Sequence, residues 1–174
     1  MAQKSIDQQV KEAVKKFDLL PKKFAKRERK KFLRKAAKPL IKAARNNIPE
    51  SDEPHYRYAT AKASSSKRAP KGEGNIVAVY YPGNLKKSIR ALSFRKSGSI
   101  FVGPKLQKRG AFGEFGKGNK VDGYYAAMME FGTRNFGGVH YMRKGLATSK
   151  SQVERIIISE STKVIKDFIK KNKI

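Results

Sequence analysis

Residues 83–104 read GNLKKSIRALSFRKSGSIFVGP, and their reading decides the fold. Residues 88–94 and 99–102 are short β-prone runs, and Arg95-Lys96-Ser97-Gly98 between them is a turn sequence, so the pair predicts an antiparallel hairpin that starts the core sheet. Gly83-Asn84-Leu85-Lys86-Lys87-Ser88-Ile89 is expected to open the first strand and Val102-Gly103-Pro104 to close the second.

Upstream, the chain reads as helical and then as extended. Ile6, Val10, Ala13, Val14 and Phe17 recur at three- and four-residue steps, which predicts an amphipathic helix ending near Leu19-Leu20-Pro21. Pro21 suits the first turn of a second helix, which turns Leu20, Phe24, Phe32, Leu33, Ala36, Ala37, Leu40, Ile41 and Ala44 toward a core. A bend is expected at Pro39, and Asn46-Asn47 with Pro49 ends the helix. Its opposite face is basic: Lys22, Lys23, Lys26, Arg27, Arg29, Lys30, Lys31, Arg34, Lys35 and Lys38 share it, offset by Glu28. Residues 50–82 then change character. An acidic patch (Glu50, Asp52, Glu53) precedes a β-prone piece at 55–60, a polar tract and a second β-prone piece at 76–81, the pattern of an inserted hairpin arm. Its tip, 64–75, is rich in Ser, Gly, Lys and Arg without apolar anchors and is expected to be mobile, with Lys62, Lys67, Arg68 and Lys71 making it positive.

Downstream, glycines recur among Lys and Arg over 103–123, yet this is not a phosphate loop. Five residues separate Gly110 from Gly116 instead of four, Gly118 follows Lys117 where Ser or Thr is needed, and no βαβ pattern surrounds them. Residues 124–131 have the composition of a short helix, with Gly132 placed to end it in a left-handed cap. Glu130 in the last turn sits at the negative end of the helix dipole, a modest penalty that a nearby cation would reverse, and Arg134 and Arg143 are the candidates. From 149 onward Val153, Ile156, Ile157, Val164, Ile165, Phe168 and Ile169 keep helical spacing, while Glu154, Glu160 and Asp167 give that helix an acidic surface. The expected architecture is a single α+β domain over 1–174. It has N-terminal helices at 1–48, the basic arm at 50–82, a small antiparallel β-sheet with a short helix at 83–148, and a C-terminal helix at 149–174.

Composition narrows the function classes. Lys and Arg total 41 against 14 Asp and Glu, a net charge of +27, far beyond what solubility asks of a small domain. Such a charge calls for a polyanion, an anionic membrane surface or acidic faces on other subunits. With no cysteine there is no disulfide, thiol nucleophile or cysteine-bound zinc, and no stretch approaches the roughly 18 apolar residues of a spanning helix. The expectation is a soluble protein made and used inside a cell. His55 and His140 stand in unrelated contexts without metal-ligand spacing, Ser88 and Ser93 lack the glycines of a nucleophile elbow, and no carboxylate pair suggests acid and base. The chain is therefore expected not to be an enzyme and to take no cofactor or metal.

Four signatures fall in one order: Gly83, Leu85, Ser88 and Ile89 as Gly-x-Leu-x-x-Ser-Ile; Val102-Gly103-Pro104; Tyr125-Ala126 with Glu130-Phe131-Gly132-Thr133; and Tyr141-Met142-Arg143. Together they resemble the tail-completion, or head-tail joining, family of tailed bacteriophages with long tails, over about residue 20 to the C-terminus. His140 stands where that pattern has a proline, and Lys144-Gly145 where it has Pro-Ala, which would loosen the start of the last helix. The 50–82 arm exceeds the connection usual in the family. The resemblance implies a structural virion protein of the neck, assembled in the host bacterial cytoplasm as a homo-oligomeric ring around the portal–tail axis. Connector, stopper and tail-terminator proteins would be its neighbours, packaged DNA would be within reach, and no membrane would be involved. Glu130, Phe131, Gly132, Thr133 and Arg143 become the assembly motif, and Lys26, Lys30, Arg34, Lys67, Arg68 and Lys71 the contacts to acidic partners or DNA. Repulsion between copies acts over a Debye length of about 8 Å at physiological salt, so copies should meet through apolar faces and the few acids. The alternative is a basic nucleic-acid-binding protein that uses the 22–38 face, with Tyr56, Tyr58, Tyr80 or Tyr81 stacking on bases.

Overall fold

A computed structural model of the chain describes residues 5–18, 20–58, 76–94, 97–107 and 113–172. The expected arm tip, with Lys67, Arg68 and Lys71, lies outside the described residues. The fold is α+β: α1 (Ile6–Asp18), α2 (Lys22–Asn46), β1 (His55–Tyr58), β2 (Ile76–Tyr80), α3 (Asn84–Ser88), β3 (Ile89–Ser93), β4 (Ile100–Pro104), β5 (Gly113–Phe115), α4 (Ala126–Phe131), β6 (Gly132–Thr133), β7 (Phe136–Gly137) and α5 (Tyr141–Asn172). The chain divides into two compact units. The first combines Met1–Asn46, Ala91–Gly103 and Met142–Ile174; the second combines Asn47–Arg90 and Pro104–Tyr141.

In the first unit the 3.6-residue period does most of the work. Pro21 accepts the Ala25 N–H at 2.9 Å and so heads α2, which runs on through Pro39. Leu20, Ala25 and Phe32 are buried, and Phe24, Leu33, Ile157, Val164, Ile165 and Phe168 pack against them. Phe24 meets Phe168 with ring centroids 5.1 Å apart, Lys35 Nζ meets Glu160 Oε2 at 2.7 Å, and Gly145 lies against Ala44. These contacts run in opposite order along the two helices, so α2 and α5 form an antiparallel pair over about 35 Å of axis.

Gly145 shows why the last helix departs from expectation. A Cβ at this position would lie 2.7 Å from the Ala44 nitrogen, so the missing side chain lets the two backbones approach. Instead of loosening the start of the helix, Lys144-Gly145 lies within α5, which begins at Tyr141 rather than at 149. Ser149 and Ser161 are buried on α5 and satisfy their hydroxyls on the carbonyls of Gly145 and Ile157, both at 2.6 Å.

In the second unit the expected arm pairing is present, with β1 antiparallel to β2 in the register His55 with Tyr80. β5 then joins β2 in parallel, so β2 is the central strand of a three-stranded mixed sheet and buries Ala78 and Tyr80. The strands do not form one antiparallel sheet starting at 88. β3–β4 and β6–β7 are separate two-stranded sheets. The 83–88 segment is also not the opening of a strand: Asn84–Ser88 is one helical turn. Leu85, Ser88 and Ile89 at i, i+3 and i+4 all bury, and Gly83 at φ 74° starts the turn, with its carbonyl accepting the Lys87 N–H at 2.9 Å.

A buried polar bracket holds this turn. Asn84, fully buried, donates through Nδ2 to the Asp122 carbonyl at 2.6 Å and accepts the Asp122 N–H on Oδ1 at 3.0 Å, as a neighbouring strand would. The Asp122 carboxylate in turn accepts the Gln107 N–H at 3.1 Å and the Tyr80 hydroxyl at 3.3 Å. Ser88 gives its hydroxyl to the Leu85 carbonyl, and its own carbonyl accepts the Lys105 N–H at 2.9 Å. A Cβ on Gly123 would come within 2.4 Å of Pro104 and 3.3 Å of the Ser88 hydroxyl. Glycine therefore lets Pro104, Ser88 and Gly123 close together.

Candidate functional site

The second unit carries an apolar groove of about 520 Å³. One wall is β1 with His55, Tyr56 and Arg57, and the other is Tyr124, Tyr125, Met128 and Met129 at and beside α4. Thr133 and Phe136 of the β6–β7 hairpin close one side, while Ile48, Tyr80 and Leu85 are buried lining residues. The rings that shape it interlock. Tyr80 stacks on Phe115 at 5.4 Å and on Tyr124 at 6.0 Å and meets Tyr125 edge-on at 5.6 Å, while His55 meets Tyr125 at 6.3 Å. The Arg57 guanidinium lies 5.0 Å from the centre of the Tyr124 ring, an attraction between cation and ring face.

Burial pushes the Tyr80 phenol up to about 12, helped by the nearby Asp122 carboxylate and opposed by Arg57. Tyr141 is pushed up to about 12 by burial first and the negative charge of Glu130 second. Neither phenol is disposed to lose a proton near neutrality. Tyr56, Tyr124, Met128 and Phe136 remain substantially exposed along the groove, so it presents rings and thioethers to solvent, with Glu50, His55, Arg57 and Lys86 among the polar side chains of its lining. Among the described residues no three His, Asp or Glu side chains converge as metal ligands would, and no helix is long and apolar enough to cross a membrane.

The Glu-Phe-Gly-Thr block lies at the end of α4 and in β6. Glu130 is 8% exposed, so it is not a solvent-facing carboxylate, and its carbonyl accepts the His140 N–H at 3.2 Å. Phe131 is 76% exposed, and Thr133 faces the groove. Gly132 has φ 86° and ψ −175°, which is not the expected left-handed cap but an extended conformation open in practice only to glycine. A Cβ there would also strike the Phe136 carbonyl at 2.5 Å, so this glycine ends α4 and lets 136–138 fold back over it. His140 has φ 56°, a value proline cannot adopt, and it donates an N–H that proline lacks. A proline could not stand at position 140 in this backbone. Arg143 is exposed in the first turn of α5 and falls in the first unit, while the other four motif residues fall in the second.

The basic face belongs to α2 in the first unit. Lys26 and Arg34 are exposed and Lys30 half-buried, one turn apart along the helix. Arg34 Nη2 reaches Ser93 Oγ at 3.5 Å. Arg27 Nε at 2.9 Å and Lys31 Nζ at 2.8 Å share a single Glu28 oxygen, and the Lys31 hydrogen bond in particular holds that carboxyl below its usual range. Two cations on one carboxylate leave the face strongly positive, with Lys22, Lys38 and Lys42 also exposed.

Sequence reasoning placed the motif block and the basic face but passed over the groove and the Asn84–Asp122 bracket. The Leu85, Ser88, Ile89 spacing was the signal available for the helical turn. Nothing local marks Asp122 as the partner of Asn84. Comparison with known protein families, curated proteins and solved structures returned no match.

Proposed function

We propose that this chain is a structural assembly protein of the tail-completion kind, a phage neck component that joins head to tail by forming a ring around the portal–tail axis and acts by docking instead of chemistry. The observation that carries this reading is the division of labour around the resembling motifs. Gly83, Ser88, Pro104 and Gly132 are spent on backbone geometry and close packing, while the surface beside them presents Tyr56, Tyr124, Met128, Phe131 and Phe136 to solvent. A frame with rigid turns and exposed rings suits a protein that buries surface against neighbours. Connector, stopper or tail-terminator proteins would be the neighbours above and below. Immunogold microscopy of purified particles with an antibody against this chain tests it: label at the head–tail junction is expected, and particles without label would overturn it.

The basic face of α2 favours a second reading, a nucleic-acid-binding protein held to phosphates by Lys26, Lys30 and Arg34. Its mark would be an affinity for DNA that falls linearly with salt on logarithmic axes and disappears when those three charges are reversed. A salt-insensitive assembly would sink it.

A further inference from the structure

We propose that the β3–β4 hairpin of one copy docks its phenylalanine face into the apolar groove of another copy, with Lys26 and Arg34 beside the hairpin meeting Asp52 and Glu53 at the groove rim. The inference deepens the ring reading above, rests on it, and names the contact that would build the ring.

The hairpin is an apolar knob. Phe94 donates its N–H to the Ser99 carbonyl at 3.1 Å, and this register puts Phe94 and Phe101 on the same face. Both rings are more than half exposed, an unusual state for two neighbouring phenylalanines. A cationic collar surrounds the knob: the Lys26 stem lies against Gly98 in the turn, and Arg34 reaches Ser93 on the ascending strand.

The groove is the complementary socket. Its exposed rings come from Tyr56, Tyr124 and Phe136, and about 520 Å³ is within the range of cavities that take ring-sized groups. The short turn that holds Asp52 and Glu53 is bracketed by the lining residues Ser51 and His55, so both acids lie at the rim. In a chain of +27 these two exposed carboxylates meet no cation among the described residues, whereas Glu28, Glu114, Glu154 and Glu160 each do. Uncovered acids beside an apolar socket select an apolar knob with a basic collar. The groove's own cations are engaged, Lys86 by Glu50 at 2.7 Å and Arg57 over the Tyr124 ring, so Asp52 and Glu53 remain to meet an incoming charge; they disfavour a phosphate chain, which leaves a second copy as the occupant that the charges and rings both fit.

Knob and socket are different surfaces, so the contact is head-to-tail and produces a ring where the rotation closes and a filament where it does not. Two rings bring on the order of 300 Å² to the contact, below the roughly 800 Å² per partner of a stable binary interface, so association should depend on concentration and strengthen on closure.

The test uses the full-length chain freed of nucleic acid, with self-association measured by sedimentation velocity. Phe94→Ser with Phe101→Ser, or Asp52→Lys with Glu53→Lys, should weaken association at least tenfold. Adding Lys26→Glu and Arg34→Glu to the second pair should restore it, a rescue that a misfolded variant would not give. Because the chain has no cysteine, Tyr56→Cys and Phe101→Cys chains prepared separately and then mixed under mild oxidation should form a disulfide-linked dimer far faster than either alone. A wild-type chain that stays monomeric, unchanged association in the Phe94 and Phe101 variant, or a position-56 cysteine that traps a different virion protein instead would overturn the contact. Rings that persist in the phenylalanine variant would reject this contact while leaving the neck reading intact, and association without label on particles would reject the neck reading alone.

Discussion

The two units of this chain solve the same problem with different chemistry. The first is held by repetition: aliphatic and aromatic side chains at helical spacing, small residues where α2 and α5 approach, and the Lys35–Glu160 ion pair across them. The second is built from strands of two to five residues, too short to hold themselves, and its frame depends on single polar side chains such as Asn84 and Asp122 that stand in for missing strand partners. Repetition tolerates exchange of like for like. A single-atom bracket does not.

The largest effect should come from emptying the first core. Phe32→Ala is expected to lower stability by about 3–5 kcal/mol in chemical denaturation, whereas Phe32→Leu should cost much less because helical cores repack around similar volumes. Asn84→Asp inverts that rule in the second unit. The shape is kept, but the Asp122 carbonyl loses its donor and a second carboxyl is buried near the first, so roughly 2–4 kcal/mol is expected despite the isosteric change. If both conservative variants cost the same, the contrast between the units fails.

Gly145→Ala tests the helix approach. In an isolated helix alanine would be favoured by about 1 kcal/mol, but here the methyl meets the Ala44 backbone, and a net loss of about 1–3 kcal/mol is expected. A gain in thermal stability would mean that the α2–α5 approach has slack.

The gentlest probe is pH. All seven tyrosines lie in the second unit, so their ultraviolet absorbance and fluorescence report on it alone. Tyr80 and Tyr141 are raised from 10.0 to about 12 by burial, which favours the neutral phenol in the folded chain. Their contribution is full below pH 10 and is lost as pH climbs from 10 through 12. Phenolate absorbance should therefore lag behind that of free tyrosine and then rise together with loss of structure in the second unit. A titration that follows free tyrosine would remove the buried-phenol account.

The helices were legible because their information is local. Ile157, Val164, Ile165 and Phe168 keep a period that one face of α5 satisfies, and Pro21 marks the start of α2 as expected. The pairing of β1 with β2 was legible from two β-prone runs around a polar tract. The role of residues 83–88 was not, because the strand-like text of this stretch is overridden by burial of Leu85, Ser88 and Ile89 along one side of a turn. Gly132 is readable as a helix end, but the reason it must be glycine lies in 136–138, which fold back to within contact of it. The basic face of α2 was visible in the text; the groove was not, since Tyr56, Tyr80, Tyr124 and Phe136 are far apart in the chain.

By itself the sequence determined the charge, the helical period, the order of the short motifs and the absence of thiol chemistry, all of which follow from residue identity and spacing. Tertiary structure alone decided which strands share a sheet, why glycine must stand at 123, 132 and 145, and that scattered tyrosines meet in one groove. The physical reason is range. Periodicity and propensity act over a few residues, whereas strand partners, close backbone approaches and buried hydrogen bonds depend on segments that only folding brings together.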